Sequence, residues 1–302
     1  MEFSRLKKLC GAAAFISVLF FAFSSVSSAI ALDLSSVHIK KNTIVQGETL
    51  VIEVEKFSNT NNTVPMAWVG SRAVRLFPYK EKYIGFYSAP AKATPWIYRA
   101  TIVAEGEKPV KIPVVIKNAH FPVTELVVTK ELNNAGFTSR NIASNLAVAD
   151  TPAIVAAFSN AADAPYFSDA FGFPLKNIVN VGAFGNYRKS GSTVLQHLGV
   201  DLEAEMNTPV YAINDGKVTM AKRLINYGNS IVIDHGARIF SMYLHLEKFS
   251  VPQGAVVKKG DLIGYSGNTG YSLAPHLHLS INVNGTSIDP LNFIETTQSA
   301  FQ

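Results

Sequence analysis

The chain has 302 residues, of which 48% are apolar, and a formal net charge of +5 at pH 7. A chain of this length has enough residues for two hydrophobic cores. The positive charge is modest, and no run of basic residues interleaved with aromatic ones accompanies it. We therefore expect no nucleic-acid partner.

The first 31 residues have the three parts of a secretory signal peptide. A basic start precedes an apolar core over 10–23 and the small-residue end Ala29-Ile30-Ala31. We predict cleavage after Ala31 and transport across the inner membrane, to the periplasm or the extracellular cell wall. An uncleaved anchor is the open alternative, because 9–31 is about long enough to span a bilayer. This segment is the only membrane contact that we expect.

The single cysteine, Cys10, lies inside the predicted signal peptide. A lipoprotein signal places small residues and the apolar core before its cysteine, whereas here Leu9 precedes Cys10 and the core follows it. We expect no lipid anchor on this residue and no disulfide in the mature chain.

Residues 32–118 are predicted to form a small β-sandwich. Strand patterns at 49–54, 96–104 and 110–116 alternate with turn-rich segments. Short strands at this spacing are typical of two packed sheets.

Residues 119–176 are predicted to form a partly helical connector. Positions 123–128 fit one strand, 139–148 and 153–161 are helical in pattern, and 163–174 is aromatic and rich in turns.

Residues 177–297 are predicted to form a mainly antiparallel β-domain. Positions 230–234 and 239–245 flank a turn as a hairpin, and 251–257 with 262–264 fit a strand, a turn and a further strand. The fold class of the whole chain is therefore expected to be dominated by β-structure.

Four of the seven histidines lie in three short motifs of this last segment, together with one aspartate. The motifs are His197-x-x-x-Asp201, His245 after Tyr243-Leu244, and His276-x-His278. Side chains two residues apart on a strand point to the same face, so His276 and His278 are predicted to be neighbours. If 197–201 is extended, Gly199 leaves room for an ion between two candidate ligands.

Alternation over 239–246 predicts a third strand that carries His245. In this pattern His245 shares a face with Ser241 and Tyr243, while Met242 and Leu244 occupy the other face. The three strands are expected to converge on one pocket.

These groups predict a zinc site. Imidazole nitrogen and carboxylate oxygen suit zinc, and catalytic zinc sites usually keep three protein ligands and one open position. Five candidate groups for three ligand positions leave two histidines for acid–base chemistry. The general-base glutamate of H-E-x-x-H proteases is absent from the chain, so histidine is expected to replace it.

The arrangement resembles the lysostaphin-type (LytM-like) zinc endopeptidases, which act on bacterial cell-wall peptidoglycan. Their pattern is H-x-x-x-D, then a lone histidine after an aromatic residue, then H-x-H. The resemblance runs from about Val179 to Phe293. It also includes Phe184-Gly185 with Arg188, Thr208-Pro209-Val210-Tyr211-Ala212, Asp215-Gly216-Lys217-Val218, Gly228-Asn229, Asp234-His235-Gly236, Gly264 through Gly270, Pro275, and Asp289-Pro290.

The resemblance implies a role for each residue of the motifs. It makes His197, Asp201 and His278 the zinc ligands, and His245 and His276 the catalytic histidines. The chain departs from the family pattern at Asn207, where glycine is usual, and at Ser280, where glutamate is common. Neither is a ligand position, so we expect activity to be retained. The other histidines, His38, His120 and His235, are predicted to be surface or structural residues.

The resemblance also bears on the N-terminal half of the chain. It implies an immunoglobulin-like identity for the β-sandwich, as in some secreted relatives. For the connector two interpretations stay open: it covers the groove and lowers activity until it moves, or it is a spacer with a few docking contacts.

The sequence thus predicts a secreted zinc metalloendopeptidase that cuts peptide cross-links of peptidoglycan. The alternatives are a non-catalytic wall-binding or hydrolase-activating module, a zinc carboxypeptidase acting on stem peptides, and a protease of secreted proteins. The bond cleaved, D-alanyl-diaminopimelate or a glycine bridge, and the oligomeric state are left open.

Overall fold

The computed structural model describes residues 36–56 and 63–302. These described residues form one compact unit, which is built mainly of β-strands. The predicted signal peptide, residues 1–31, lies outside the described residues. Among the helices that the structure describes, none has the length and apolar character needed to cross a membrane.

The N-terminal part of the described chain is a sandwich of two sheets, as predicted from its strand spacing. One sheet has the order β1-β3-β7-β6 and the other the order β2-β9-β8-β4-β5. Both sheets contribute to one core, in which Ile52, Ile102 and Val114 are fully buried. The strands are β1 Val37–Ile39, β2 Thr43–Val45, β3 Thr49–Glu55, β4 Met66–Val69, β5 Arg72–Val74, β6 Leu76–Tyr79, β7 Lys82–Ser88, β8 Trp96–Val103 and β9 Val110–Lys117.

The connector contains one short strand and three short helical segments. They are β10 Val123–Glu125, α1 Lys130–Asn134, α2 Ser139–Asn145 and α3 Thr151–Ala157, with a π-helical turn at Leu146–Asp150 between α2 and α3. Thr129 and Thr138 cap α1 and α2, since each hydroxyl accepts a hydrogen bond from a backbone N–H three residues later. The prediction of a strand over 123–128 is too long, because only its first three residues pair with a neighbour.

The C-terminal part is built around an antiparallel sheet with the order β11-β14-β21-β18-β17-β16-β19. Its strands and its helix are β11 Asn180–Gly182, β12 Tyr187–Ser190, β13 Thr193–Gln196, β14 Val200–Glu203, β15 Pro209–Tyr211, β16 Gly216–Leu224, β17 Gly228–Asp234, β18 Ile239–Phe249, β19 Val256–Val257, β20 Leu262–Ser266, β21 His276–Val283, β22 Thr286–Ile288 and α4 Pro290–Ala300. The hairpin predicted around residues 235–237 is confirmed as β17 and β18. The strand predicted over 251–257 is too long, because only its last two residues form a strand, β19, which pairs with β16.

The two faces of this sheet have different roles. On one face Leu277, Leu279 and Ile281 of β21 pack in the large core that includes α4. On the other face Met242 and Leu244 of β18 belong to a smaller core against which the connector packs. His276 and His278 alternate with the leucines and therefore lie on this second face.

Candidate metal centre

Asp201, His245 and the His276-x-His278 pair lie on three neighbouring strands, and His197 lies in the loop just before the first of them. In the sheet β14 pairs with β21, and β21 pairs with β18. The register places Asp201 opposite His278, and His278 opposite Leu244. The predicted side chains therefore lie close together at this part of the sheet.

His197, Asp201 and His278 form a compact cluster with metal-ligand geometry. The Nε2 atom of His197 lies 3.0 Å from Oδ1 of Asp201 and 3.1 Å from Nδ1 of His278. The third side of the triangle, from His278 Nδ1 to Asp201 Oδ1, is 2.8 Å. The histidine side chains are buried and the Asp201 side chain is 14% exposed, so these groups have lost most of their water.

The outer hydrogen bonds of the two rings determine which nitrogen faces the cluster. His197 Nδ1 lies 2.9 Å from the carbonyl oxygen of Ala183, which can only accept, so Nδ1 carries the hydrogen. His278 Nε2 lies 2.8 Å from Oγ of Ser280, and that hydroxyl donates its single hydrogen to the carbonyl of Leu198 at 3.0 Å. Nε2 of His278 therefore donates to Ser280.

The donor set fits a divalent metal ion. In these ring tautomers Nε2 of His197 and Nδ1 of His278 carry lone pairs, and both face the carboxylate of Asp201. Three lone-pair atoms so close together repel one another, and a cation between them removes the repulsion. Two imidazoles and one carboxylate are also a known ligand set for metals such as zinc.

Asp201 has a cationic partner on its far side. Arg188 on β12 donates from Nη2 to Oδ2 of Asp201 at 2.9 Å, which leaves Oδ1 facing the rings. Burial raises the pKa of Asp201, but its contacts with the rings of His197, His276 and His278 outweigh burial and hold this pKa well below its usual range. The carboxylate is therefore ionised at neutral pH. The sequence motifs included Arg188 but did not indicate this contact.

His245 reaches the cluster through an irregular backbone. Its φ of 60° is in the left-handed region, which is rare for a residue with a side chain. The alternation of β18 shifts there: Leu244 lies in the smaller core, whereas Leu246 lies in the large core on the opposite face. The prediction that His245 shares a face with Tyr243 is therefore wrong, because a bulge turns its side chain towards His278.

His245 and His276 lie beside the cluster, with a distance of 4.9 Å between their ring centroids. Nδ1 of His245 donates to the carbonyl of Thr269 at 2.8 Å, and Nδ1 of His276 donates to that of Ala274, also at 2.8 Å. In each ring Nε2 is left for exchange of protons, and that of His276 lies 3.5 Å from Oδ1 of Asp201.

Burial lowers the pKa of both rings, but the net shifts of the two pKa values have opposite directions. It lowers the pKa of His245 to about 3, with a further contribution from the charges of His276 and His278. Burial also lowers the pKa of His276, but the hydrogen bond and the charge of Asp201 outweigh it, so the net shift of this pKa is upward.

Gly199 has a different role from the one expected. It does not make room for an ion, because a Cβ there would meet Nε2 of His278, Oγ of Ser280 and the carbonyl of Leu279. The glycine therefore makes room for the His278 ring and the hydroxyl that holds it.

The remaining histidines lie outside the cluster. His235 is fully buried and hydrogen-bonded to the Asp215 carbonyl and to Oγ of Ser241, both at 2.7 Å. His38 faces Glu55 at 3.9 Å and His120 is exposed. These positions fit the structural and surface roles predicted for them.

The connector contacts two segments near the cluster, strand β12 and the loop that precedes β21. Leu126 donates from its backbone N–H to the carbonyl of Lys189, at 2.9 Å, and the hydroxyl of Tyr271 donates to the carbonyl of Val127, at 2.6 Å. These contacts are compatible both with a connector that covers the groove and with one that acts as a spacer, so both interpretations stay predictions.

Comparisons with known proteins agree with this geometry. Residues 195–290 match the model of peptidase family M23. The chain is 41% identical over 96 residues to the DD-carboxypeptidase/endopeptidase Mpg of Neisseria meningitidis, a match that covers 32% of this chain and 22% of that protein. It is 41% identical over 98 residues to the peptidoglycan DD-endopeptidase ShyA of Vibrio cholerae, covering 32% and 23%. It is 43% identical over 107 residues to the glycyl-glycine endopeptidase ALE-1 of Staphylococcus capitis, covering 33% and 29%.

These matches cover less than a third of each relative's length. A wider similarity is found in a crystal structure from Pseudomonas aeruginosa that is provisionally described as a peptidase M23. It has a TM-score of 0.52 at 21% identity and covers 83% of this chain and 95% of the other. At this identity the similarity shows a shared fold alone. The lysostaphin-type resemblance of the motifs is confirmed, since residues 195–290 match peptidase family M23 and relatives that share this segment include peptidoglycan and glycyl-glycine endopeptidases.

Proposed function

We propose that this protein is a secreted zinc endopeptidase that hydrolyses peptide cross-links of bacterial peptidoglycan. The observation that carries the proposal is the cluster of His197, Asp201 and His278, with two further histidines beside it, inside a peptidase family M23 domain. Two of the relatives that share this segment are named as endopeptidases of peptidoglycan and of glycyl-glycine bonds. Secretion rests on the predicted signal peptide, with cleavage after Ala31.

Three atoms of the cluster would hold the zinc ion: Nε2 of His197, Oδ1 of Asp201 and Nδ1 of His278. Bound zinc supplies Lewis acidity, which brings the pKa of a bound water to about 7 and polarises a carbonyl group. Arg188 orients the carboxylate of Asp201 by holding its Oδ2 atom, which leaves Oδ1 for the metal.

His245 and His276 divide the two proton transfers of hydrolysis between them. One ring accepts a proton from the attacking water and the other donates one to the leaving amine. Their Nδ1 atoms are held by the carbonyls of Thr269 and Ala274, so the exchange uses the Nε2 atoms.

A carboxypeptidase activity on stem peptides is the second candidate, because the Mpg relative is named for both activities. It uses the same residues and differs only in whether the scissile bond lies at a chain end. Analysis of the reaction products separates the two activities.

The proposal is tested with residues 32–302 and purified, dye-labelled peptidoglycan sacculi. We expect release of soluble dye that stops when a chelator removes the metal and resumes when zinc is added in slight excess. The His245→Ala variant serves as the control, since it should bind sacculi without releasing dye. Binding of sacculi without release by the zinc-loaded wild type would contradict the proposal and favour the wall-binding module.

A further inference from the structure

Ser280 connects a candidate metal ligand to the loop before β14. Its side chain is almost fully buried, and the residue is 2% exposed. Its Oγ accepts a hydrogen bond from Nε2 of His278 at 2.8 Å and donates one to the carbonyl of Leu198 at 3.0 Å. Leu198 lies next to His197, so one hydroxyl holds two of the histidine-bearing segments together.

The His278 ring is closely surrounded, so its Nε2 atom has little room for a second hydrogen-bond partner. Among the described residues, Nε2 of His278 has one hydrogen-bond partner, which is Oγ of Ser280. Gly199 lies against the same atoms, and any side chain there would meet both the ring nitrogen and the hydroxyl. The ring is thus held in one orientation, with Nδ1 towards Asp201.

We propose that Ser280 is a positioning residue that presents Nδ1 of His278 to the metal and keeps Nε2 protonated. This inference rests on the metal centre proposed above. Ser280 stands where lysostaphin-type relatives commonly have glutamate, so here the ligand is oriented by a neutral hydroxyl. A neutral partner adds no negative charge, and the cation then faces Asp201 as the sole carboxylate of the cluster.

The test compares two buried serines that are each bonded to a histidine of the same sheet. Ser280→Ala removes the partner of His278, and Ser241→Ala removes the hydroxyl 2.7 Å from Nε2 of His235, which lies outside the cluster. Zinc affinity of residues 32–302 is measured by competition with a chelator. Loss of an outer partner of a metal-bound histidine typically weakens metal binding about 10- to 100-fold. We expect that loss for Ser280→Ala, and an unchanged zinc affinity for Ser241→Ala despite a lower stability.

A second measurement needs no variant. Long-range proton–nitrogen NMR spectra of the metal-free wild-type protein report which ring nitrogen of His278 carries hydrogen. We expect hydrogen on Nε2 in the wild type. Hydrogen on Nδ1 alone, or a zinc affinity of Ser280→Ala within about twofold of the Ser241→Ala value, would overturn the proposal.

Neither readout requires turnover. A wild-type protein that binds zinc but leaves peptidoglycan intact would contradict the proposed function and leave the role of Ser280 standing. The converse result, active wild type with no effect of Ser280→Ala on zinc, would overturn only the role of Ser280.

Discussion

At the scale of single residues, the division between metal ligands and catalytic histidines makes the first prediction. Replacing His197, Asp201 or His278 by alanine removes one of three converging donors, so we expect zinc and hydrolysis to be lost together. Replacing His245 by alanine should leave zinc bound and lower turnover about 10²- to 10⁴-fold, since a proton-transfer group is lost. Mass spectrometry measures the metal content of each variant, and hydrolysis assays measure its turnover.

The H-x-H motif contains the matched control for this assignment. His276 and His278 lie on the same face of β21, but only His278 has a ring nitrogen in the cluster. We expect His276→Ala to retain zinc. Retention by His278→Ala together with loss by His276→Ala would reverse the assignment.

His235 predicts a pH dependence of stability. Burial lowers its pKa from 6.5 to about 4, against the opposing effect of the Asp215 carbonyl. Between these two values the unfolded chain binds the proton more tightly, so stability is present above pH 6.5 and is lost as the pH falls towards 4. This amounts to about 2 kcal/mol of unfolding free energy between pH 7 and pH 5.

Urea unfolding of wild type and His235→Asn at these two pH values measures the effect. All other titratable groups are the same in both proteins, so only the difference between the two pH dependences reports on His235. The variant should lose about 2 kcal/mol less than wild type over this interval. Equal losses would show that His235 does not titrate as its burial requires.

The spacing of the histidines in the sequence predicted that they lie close together, but it did not predict the orientation of every side chain. His276 and His278 obey the two-residue period of a strand, which is a local property. The position of His245 depends on a bulge in which its backbone N–H donates to the carbonyl of Tyr227 at 2.9 Å, and its ring is held by the carbonyl of Thr269. These partners are distant in sequence, and a period-2 pattern contains no information about them.

At the scale of elements, one buried carboxylate ties the connector to the turn between β16 and β17. Asp150, which is 0% exposed, accepts hydrogen bonds from the backbone N–H groups of Ile225 and Asn226, at 2.9 and 2.7 Å. The next residue, Tyr227, holds the backbone of His245. The connector therefore supports the backbone of His245, which we propose to be catalytic, indirectly.

Asp150→Asn should loosen this attachment. The amide replaces one acceptor oxygen by a donor that faces a backbone N–H, which costs about 1–3 kcal/mol. We expect faster hydrogen exchange over residues 139–157 and a lower hydrolysis rate with zinc still bound. The control is Asp163→Asn, because the Asp163 side chain is 65% exposed and pairs with Arg75 at 2.9 Å. A higher rate for Asp150→Asn would favour the connector as a cover of the groove.

The strands of the sandwich were predictable because their alternation and turns are local signals. The connector was predicted less well, since its short helices bury few residues of their own: none in α1, and Ile142 and Ile154 in α2 and α3. Their lengths are determined by caps and by docking on the sheet, which a single sequence reveals poorly.

At the scale of the whole molecule, the sandwich and the C-terminal sheet share the large core, while the sandwich also has a core of its own. Phe86 of β7 packs against Phe293 of α4, with ring centroids 5.5 Å apart. The backbone N–H of Thr49 donates to Oδ1 of Asn292 at 2.8 Å. We therefore expect residues 32–302 to unfold in a single transition in calorimetry.

Phe86→Ala should lower the stability of the whole unit by about 3–5 kcal/mol, because it opens a cavity in the shared core. Trp96→Ala is the control, since Trp96 is 70% exposed and should tolerate the change. Two separate transitions in wild type, or a Phe86→Ala effect confined to one of them, would contradict a shared core.

The most direct test of the central claim is digestion of defined cross-linked muropeptides by residues 32–302, with products identified by mass spectrometry. Substrates with D-alanyl-diaminopimelate links and with glycine bridges are compared, each with and without a chelator. We predict conversion of dimers to monomers, sensitive to the chelator, for one of the two linkages. Intact dimers of both kinds after incubation with zinc-loaded protein would contradict the account.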